Sequence, residues 1–205
     1  MLKTGNKTRI AVLVSGGGTN LQALIDAQKS GVIQSGEIKL VISNIPDAYA
    51  LTRAKNNHIA TAVVTKKEPD MEGKIISLLE ENGIELIVLA GFLCILSERF
   101  TKKYDHRIIN VHPSLIPSFC GAGFYGLKVH EAALQKGVKV TGATVHFVNE
   151  IPDGGEIILQ KAVRVAKNDT PKTLQARVMK QAEWIILPKA VEQVSKEMKE
   201  RKERV

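Results

Sequence analysis

The sequence predicts an α/β fold: a mostly parallel sheet with helices on both faces, finished near the C-terminus by an antiparallel strand pair. Three observations carry this reading. Apolar runs of strand length alternate with helical patterns for about 110 residues, the signature of repeated strand–helix units. The runs are short and apolar, as strands covered on both faces require. Only a few residues separate the last two strands, which fits antiparallel neighbours rather than a crossover.

In order, residues 10–14 form a strand, 19–29 a helix, 39–43 a strand, 48–57 a helix and 60–64 a strand. Residues 71–82 then read as a helix and 85–90 as a strand. A short helix at 97–104 leads into a buried strand at 107–111. A loop with Pro113, Pro117, Gly121, Gly123 and Gly126 follows, then a helix at 127–136, strands near 139–148 and 156–165, and one long helix from Pro171. No repeat, low-complexity tract or linker interrupts the chain.

Composition bounds the function classes. With 205 residues and 44% hydrophobic content, one domain with a full core is expected. No apolar run reaches the roughly 18 residues of a membrane span, and MLKTGNKTR has no apolar signal core, so a cytoplasmic, non-membrane protein is expected. Cys94 and Cys120 lack C-x-x-C spacing, which indicates reduced thiols and no metal site. The net charge of +8 is mostly terminal: Lys3, Lys7 and Arg9 stand without an acid, and residues 196–205 carry five bases against three acids. No nucleic-acid motif accompanies this charge, and the C-terminal stretch reads as a solvated helix end.

The first strand runs through Ser15-Gly16-Gly17-Gly18-Thr19-Asn20-Leu21-Gln22 straight into a helix. Three consecutive glycines let backbone approach a ligand. The N–H groups and dipole of a helix start then favour an anion, most naturally a phosphate. Leu21 stands where a dinucleotide fold has its third glycine, and no Gly-Lys-Ser/Thr follows, so a monophosphate is indicated rather than NAD or ATP. The competing explanation is a plain turn capped by Thr19 or Asn20, although a cap needs one glycine, not three.

The chemistry concentrates in Asn110-Val111-His112-Pro113-Ser114-Leu115-Ile116-Pro117 and, about forty residues on, in Asp153-Gly154-Gly155. Prolines after Val111–His112 and Ile116 favour extended backbone there, which holds His112 rigidly at a strand end. Strand periodicity puts Asn110 and His112 on one side of the pleat. A lone histidine is ordinarily a structural one; the adjacent amide, the prolines and the carboxyl end of a strand favour a functional role. Asp153 in Pro-Asp-Gly-Gly equally reads as an ordinary turn. Against that, an imidazole acting near neutrality needs a carboxylate to raise its pKa, and this turn is expected at the same sheet end. Amide, imidazole and carboxylate suffice to move a carbonyl-level fragment between nitrogens. Structural roles are expected elsewhere: His146 as a satisfied core or rim histidine, His130 capping or packing its helix, Cys120 as loop filler, and Trp184 in the core with Ile185 and Leu187.

Asn110-x-His112-Pro113-Ser114-Leu115-x-Pro117, Ser15-Gly16-x-Gly18-Thr19-Asn20-Leu21-Gln22, Val88-Leu89-Ala90-Gly91-Phe92, and Thr144-Val145-His146-Phe147-Val148 with Asp153-Gly154-Gly155 together resemble the glycinamide ribonucleotide formyltransferases of purine biosynthesis. The likeness runs from Arg9 to about Gln193. It implies a three-layer, Rossmann-like formyltransferase fold in one domain over 1–205, with a phosphate-binding half over about 1–100, a folate and catalytic half over about 101–195 and a charged helical tail at 196–205. It implies formyl transfer from 10-formyltetrahydrofolate, as co-substrate, to the amine of glycinamide ribonucleotide, by a monomer or homodimer without metal. Carried over by residue, Asn110 donates to the formyl oxygen and His112 is the general acid that stabilises the tetrahedral intermediate. Asp153 keeps His112 protonated and orders a relay water. Gly18, Thr19 and Asn20 take the acceptor's phosphate, and Glu183 binds the acceptor. The pterin lies along Leu93, Cys94, Ile95 and Leu96 and against the loop of Val148, Asn149, Glu150, Ile151, Pro152 and Asp153, with Asn110 beside it.

Two departures stand out. Residues 65–70 lack the family's Ser-Arg-Glu, leaving Lys66 or Lys67 to replace an arginine contact to the folate. The loop at 118–126 is longer than the family's compact form and, with Gly142-Ala143-Thr144, resembles formyltetrahydrofolate deformylases, which makes a hydrolase the alternative. Against it, deformylases carry an extra N-terminal domain and no triple-glycine loop. Methionyl-tRNA formyltransferase is disfavoured because no C-terminal RNA-binding domain follows. A catalytically silent nucleotide- or folate-binding protein on this fold is the third reading.

Overall fold

The structure, a computed structural model, describes residues 7–203; Lys3 and Arg204, which carry part of the terminal charge, lie outside the described residues. The strands are β1 (Thr8–Val14), β2 (Gly36–Ser43), β3 (Ala60–Val63), β4 (Leu86–Leu89), β5 (Ile108–His112), β6 (Val140–Phe147) and β7 (Ile157–Arg164). They follow the sheet order β3-β2-β1-β4-β5-β6-β7. The helices are α1 (Thr19–Lys29), α2 (Tyr49–Asn56), α3 (Met71–Glu81), α4 (Glu98–Lys103), α5 (Leu127–Lys136), α6 (Pro171–Val178) and α7 (Trp184–Glu203). This is the predicted α/β, mostly parallel sheet with an antiparallel C-terminal pair. The chain forms two compact units, Met1–Cys94 with Pro188–Val205, and Ile95–Leu187.

In the first unit β1 pairs in parallel with β2 and β4, and β2 with β3. Ile10, Ala11, Val12, Leu13 and Val14 are all fully buried, because helices cover both faces of a parallel sheet. β3, the edge, is short and partly exposed, which blunts it against further pairing. Val14 lies level with Ser43, and Leu13 with Leu89, so the loops after β1, β2 and β4 leave the sheet at one end. At the other end Thr8 donates to the Ser195 carbonyl at 2.9 Å, and Glu192 accepts from the backbone of Gln34 and Ser35, docking α7 there.

In the second unit β6 is antiparallel to both β5 and β7. Its register sets Asn110 opposite His146 and His112 opposite Thr144. The single long helix expected from Pro171 is instead α6, a π-helical turn at Met179–Glu183, and α7. Pro188, inside α7, has no N–H for the Trp184 carbonyl four residues back, so one ladder bond is missing just after the π turn. The expectation for Trp184 and Ile185 is corrected too. Trp184 is only half-buried and Ile185 is 38% exposed, while Ile186 and Leu187 turn into the core.

Candidate active site

The loop Ser15–Gln22 belongs wholly to the first unit. Ser15 donates its N–H to the Gly91 carbonyl at 3.0 Å and accepts at its hydroxyl from Leu93 N–H at 2.8 Å, tying the end of β1 to the segment after β4. Gly18 takes the N-cap position of α1 with φ +70°, and no side chain caps the helix, so the Thr19 or Asn20 cap is not formed. A Cβ on Gly18 would lie 2.6 Å from Ala50 Cβ, which makes glycine obligatory there. Gly16 and Gly17 face open space.

The second unit holds Asn110, His112 and Asp153. β5 places Asn110 and His112 on one side of the pleat, and the partner strand brings His146 to the same place. His112 Nδ1 lies 3.4 Å from Asp153 Oδ2, and His146 Nε2 lies 3.5 Å from Asp153 Oδ1. His146 Nδ1 bonds the Phe147 carbonyl at 2.7 Å, so that nitrogen carries the proton. The His146 Nε2 lies between the Asn110 amide nitrogen, 3.2 Å away, and the Asp153 carboxylate, so the amide, the imidazole and the carboxylate form one cluster.

Asp153 stands third in the turn Ile151-Pro152-Asp153-Gly154, closed by Gly154 N–H to the Ile151 carbonyl at 2.9 Å. Its φ of +56° is what the third position of a type II turn demands, with proline pre-set at the second. The turn reading of Asp153 is thus met, and the same turn sets its carboxylate toward His112. The strand-end loop is equally determined. Thr144 donates its hydroxyl to the Ser114 carbonyl at 2.7 Å and accepts from Ile116 N–H at 3.1 Å, while Gln160 donates to the Ile116 carbonyl at 3.0 Å.

The long loop at 118–126 contributes two backbone groups. Phe119 offers its carbonyl to His112 Nε2 at 2.9 Å, and Gly121 donates its N–H to Asp153 Oδ2 at 2.9 Å. With a carbonyl at Nε2 and a carboxylate facing Nδ1, the surroundings of His112 suit a doubly protonated ring. Burial opposes this and wins. It pushes the His112 pKa below the ordinary imidazole value, while Asp153 and Phe119 pull upward without overcoming it. The expected net rise is therefore corrected, although the direction of Asp153's own effect is as expected. For Asp153 burial raises the pKa, but hydrogen bonding from His146, the charge of His112 and the Gly121 N–H together hold it below the usual carboxylate range.

Other expected residues fall as follows. Leu93 and Ile95 are exposed at 55% and 77%, Cys94 is half-buried and Leu96 is buried, so the segment offers two uncovered apolar side chains. Lys66 donates to the Leu93 carbonyl at 2.9 Å, which makes Lys66 rather than Lys67 the cation held at that segment. In the second unit Val148 and Asn149 are half-buried, and Glu150, Ile151 and Pro152 are exposed beside Asp153. Glu183 closes the π turn and is 6% exposed. His130 is fully buried with neither ring nitrogen bonded among the described residues, and burial pushes its pKa down to about 4. Burial and Asp153 raise the pKa of Cys120, in keeping with a non-nucleophilic thiol. His146 is the satisfied, buried histidine expected, but its contact with Asn110 needs the β5–β6 register to be seen, and the Phe119 and Gly121 contacts need the folded path of a loop.

The fold is that of known formyltransferases. The Formyl transferase family model matches residues 8–191, and the chain belongs to that family. Among curated relatives it is 43% identical over 184 residues to the phosphoribosylglycinamide formyltransferase of Haemophilus influenzae, covering 88% of this chain and 84% of that one. It is 45% identical over 194 residues to the trifunctional purine biosynthetic protein adenosine-3 of Gallus gallus, covering 93% of this chain but 19% of that protein's length. The crystal structure of phosphoribosylglycinamide formyltransferase from Anaplasma phagocytophilum superimposes with a TM-score of 0.85 at 41% identity, covering 94% and 89% of the two chains.

Proposed function

We propose that this chain transfers the formyl group of 10-formyltetrahydrofolate to the primary amine of glycinamide ribonucleotide, giving formylglycinamide ribonucleotide and tetrahydrofolate. The observation that carries the reading is the buried pairing of His112 with Asp153 at 3.4 Å, on the same pleat side as Asn110. The neutral amine adds to the formyl carbon, forming a C–N bond as the carbonyl π electrons move to oxygen. Asn110 meets that oxygen together with protonated His112, whose Nε2–H turns to it from the Phe119 carbonyl, and these hydrogen bonds strengthen as charge develops. A proton passes from the attacking nitrogen to the folate nitrogen by way of water ordered at Asp153. The folate nitrogen then leaves with its bonding pair, and Asp153 holds the His112 proton in place throughout. Gly18, Thr19 and Asn20 take the acceptor's phosphate on backbone N–H groups, and Glu183 binds the acceptor. The exposed Leu93 and Ile95 and the loop from Val148 to Asp153 receive the pterin, and Lys66 replaces the missing arginine. No helix among the described residues is long and apolar enough to cross a membrane. We take the enzyme to be a cytoplasmic monomer or homodimer that uses neither metal nor nucleic acid.

The test is product identification by mass after incubating the purified chain with 10-formyltetrahydrofolate, with and without glycinamide ribonucleotide. Formylated ribonucleotide formed only with acceptor is the expected result. Formate released without acceptor would make the chain a deformylase, and no turnover with either would make it a binder.

A further inference from the structure

We propose that Arg53, on α2, is the positioning residue that holds the glycine loop in its anion-accepting form. The inference rests on the reading of Gly18, Thr19 and Asn20 as the acceptor's phosphate site. Its observations lie in the first unit. Arg53 Nε donates to the Gly17 carbonyl at 2.8 Å, and Nη1 donates to Gln22 Oε1 at 3.1 Å. Ala50, on the same helix, donates its N–H to the Gly16 carbonyl at 3.1 Å, and Gln22 N–H takes the Gly18 carbonyl at 2.9 Å. All three glycine carbonyls are thereby drawn to donors of the chain itself. In a trans peptide the N–H points opposite to the C=O, so the N–H groups of Gly17 and Gly18 are turned away from α2.

Gly17 is exposed, and a Cβ there would meet nothing within 4 Å. No packing stops its peptide from turning over, and glycine does so at little steric cost. A flipped Gly17–Gly18 peptide would present a carbonyl oxygen to the phosphate instead of an N–H. Arg53 is the side chain that prevents this. Its planar fork reaches two acceptors at once, and Tyr49, one helical turn back, lies under the guanidinium with 4.9 Å from ring centroid to Cζ. Lysine has the charge but no fork, so it cannot hold both Gly17 and Gln22.

Arg53→Met and Arg53→Lys test this, assayed with glycinamide ribonucleotide, with the dephosphorylated glycinamide riboside, and with varied 10-formyltetrahydrofolate, each alongside a melting curve. Both variants should raise KM for the ribonucleotide roughly tenfold, the worth of one charge-assisted hydrogen bond. Their kcat, their KM for the folate and their KM for the riboside should stay within about twofold, with unchanged melting. Wild-type KM in Arg53→Lys would overturn the proposal in favour of a bare charge effect, and an equal rise for the riboside would make Arg53 merely structural. An unchanged Arg53→Met in a protein that still prefers the ribonucleotide would sink this inference alone. Absence of that preference in the wild type would remove the phosphate reading and the inference with it.

Discussion

His112 and Asp153 owe their protonation to opposite balances of the same forces. For His112 burial outweighs the neighbouring carboxylate, whereas for Asp153 hydrogen bonds and the nearby imidazoles outweigh burial. Asn110, His112 and Asp153 are legible in the sequence because prolines and a turn mark them. His146 is not, since an alternating strand histidine looks the same whether it faces Asn110 or packs in the core. At Gly18, where φ is +70° and Ala50 lies against any added Cβ, aspartate would bring both strain and a negative charge to the anion loop. Gly18→Asp is therefore expected to weaken glycinamide ribonucleotide binding at least tenfold more than folate binding. Calorimetry checks this, and equal losses for the two ligands would count against the phosphate assignment.

At the scale of elements, the strands and most helices follow from periodicity, with boundaries within a few residues of those expected. The π turn between α6 and α7 is not legible in the sequence, because the apolar spacing runs on through it and the helical run from Pro171 to Glu203 is continuous. The Pro-Asp-Gly-Gly turn shows why each residue type is there. Gly155 sits so tightly on β6 that an added Cβ would lie 1.8 Å from the Phe147 carbonyl oxygen. Gly155→Ala should accordingly cost roughly 3 kcal/mol in denaturant unfolding, as overpacking against backbone does. At the start of α6, Thr170 accepts from Thr173 N–H in a capping box with Pro171 next in line. Thr170→Ala should cost only about 1 kcal/mol. A larger effect for the cap than for the glycine would reverse this account of what holds the second unit.

For the whole molecule, pH acts through its buried imidazoles. His130 titrates at about 4 in the fold against 6.5 as the ordinary value, so the unfolded chain binds more protons between those limits. Its contribution is fully present above pH 6.5 and is lost as pH falls towards 4, by roughly 3 kcal/mol in total; His112 acts in the same direction. Unfolding curves from pH 7 to 4 should show that decline, and His130→Leu should flatten it. α7 continues to Glu203, with Lys202 paired to Glu85 at the surface. Deleting residues 197–205 should leave turnover unchanged and cost less than about 1 kcal/mol, since exposed ion pairs contribute little. The central claim is that Asn110, His112 and Asp153 carry formyl transfer, and turnover against pH for Asp153→Asn tests it most directly. Asparagine tolerates the positive φ of the turn, so fold and ligand binding should survive, as a melting curve would confirm. The account predicts a loss of roughly a hundredfold or more in turnover. It also predicts that the limb where protonated His112 is lost moves to lower pH, because the upward pull of the carboxylate is gone. Near-wild-type turnover with an unmoved profile would contradict it and leave Asp153 a turn residue alone.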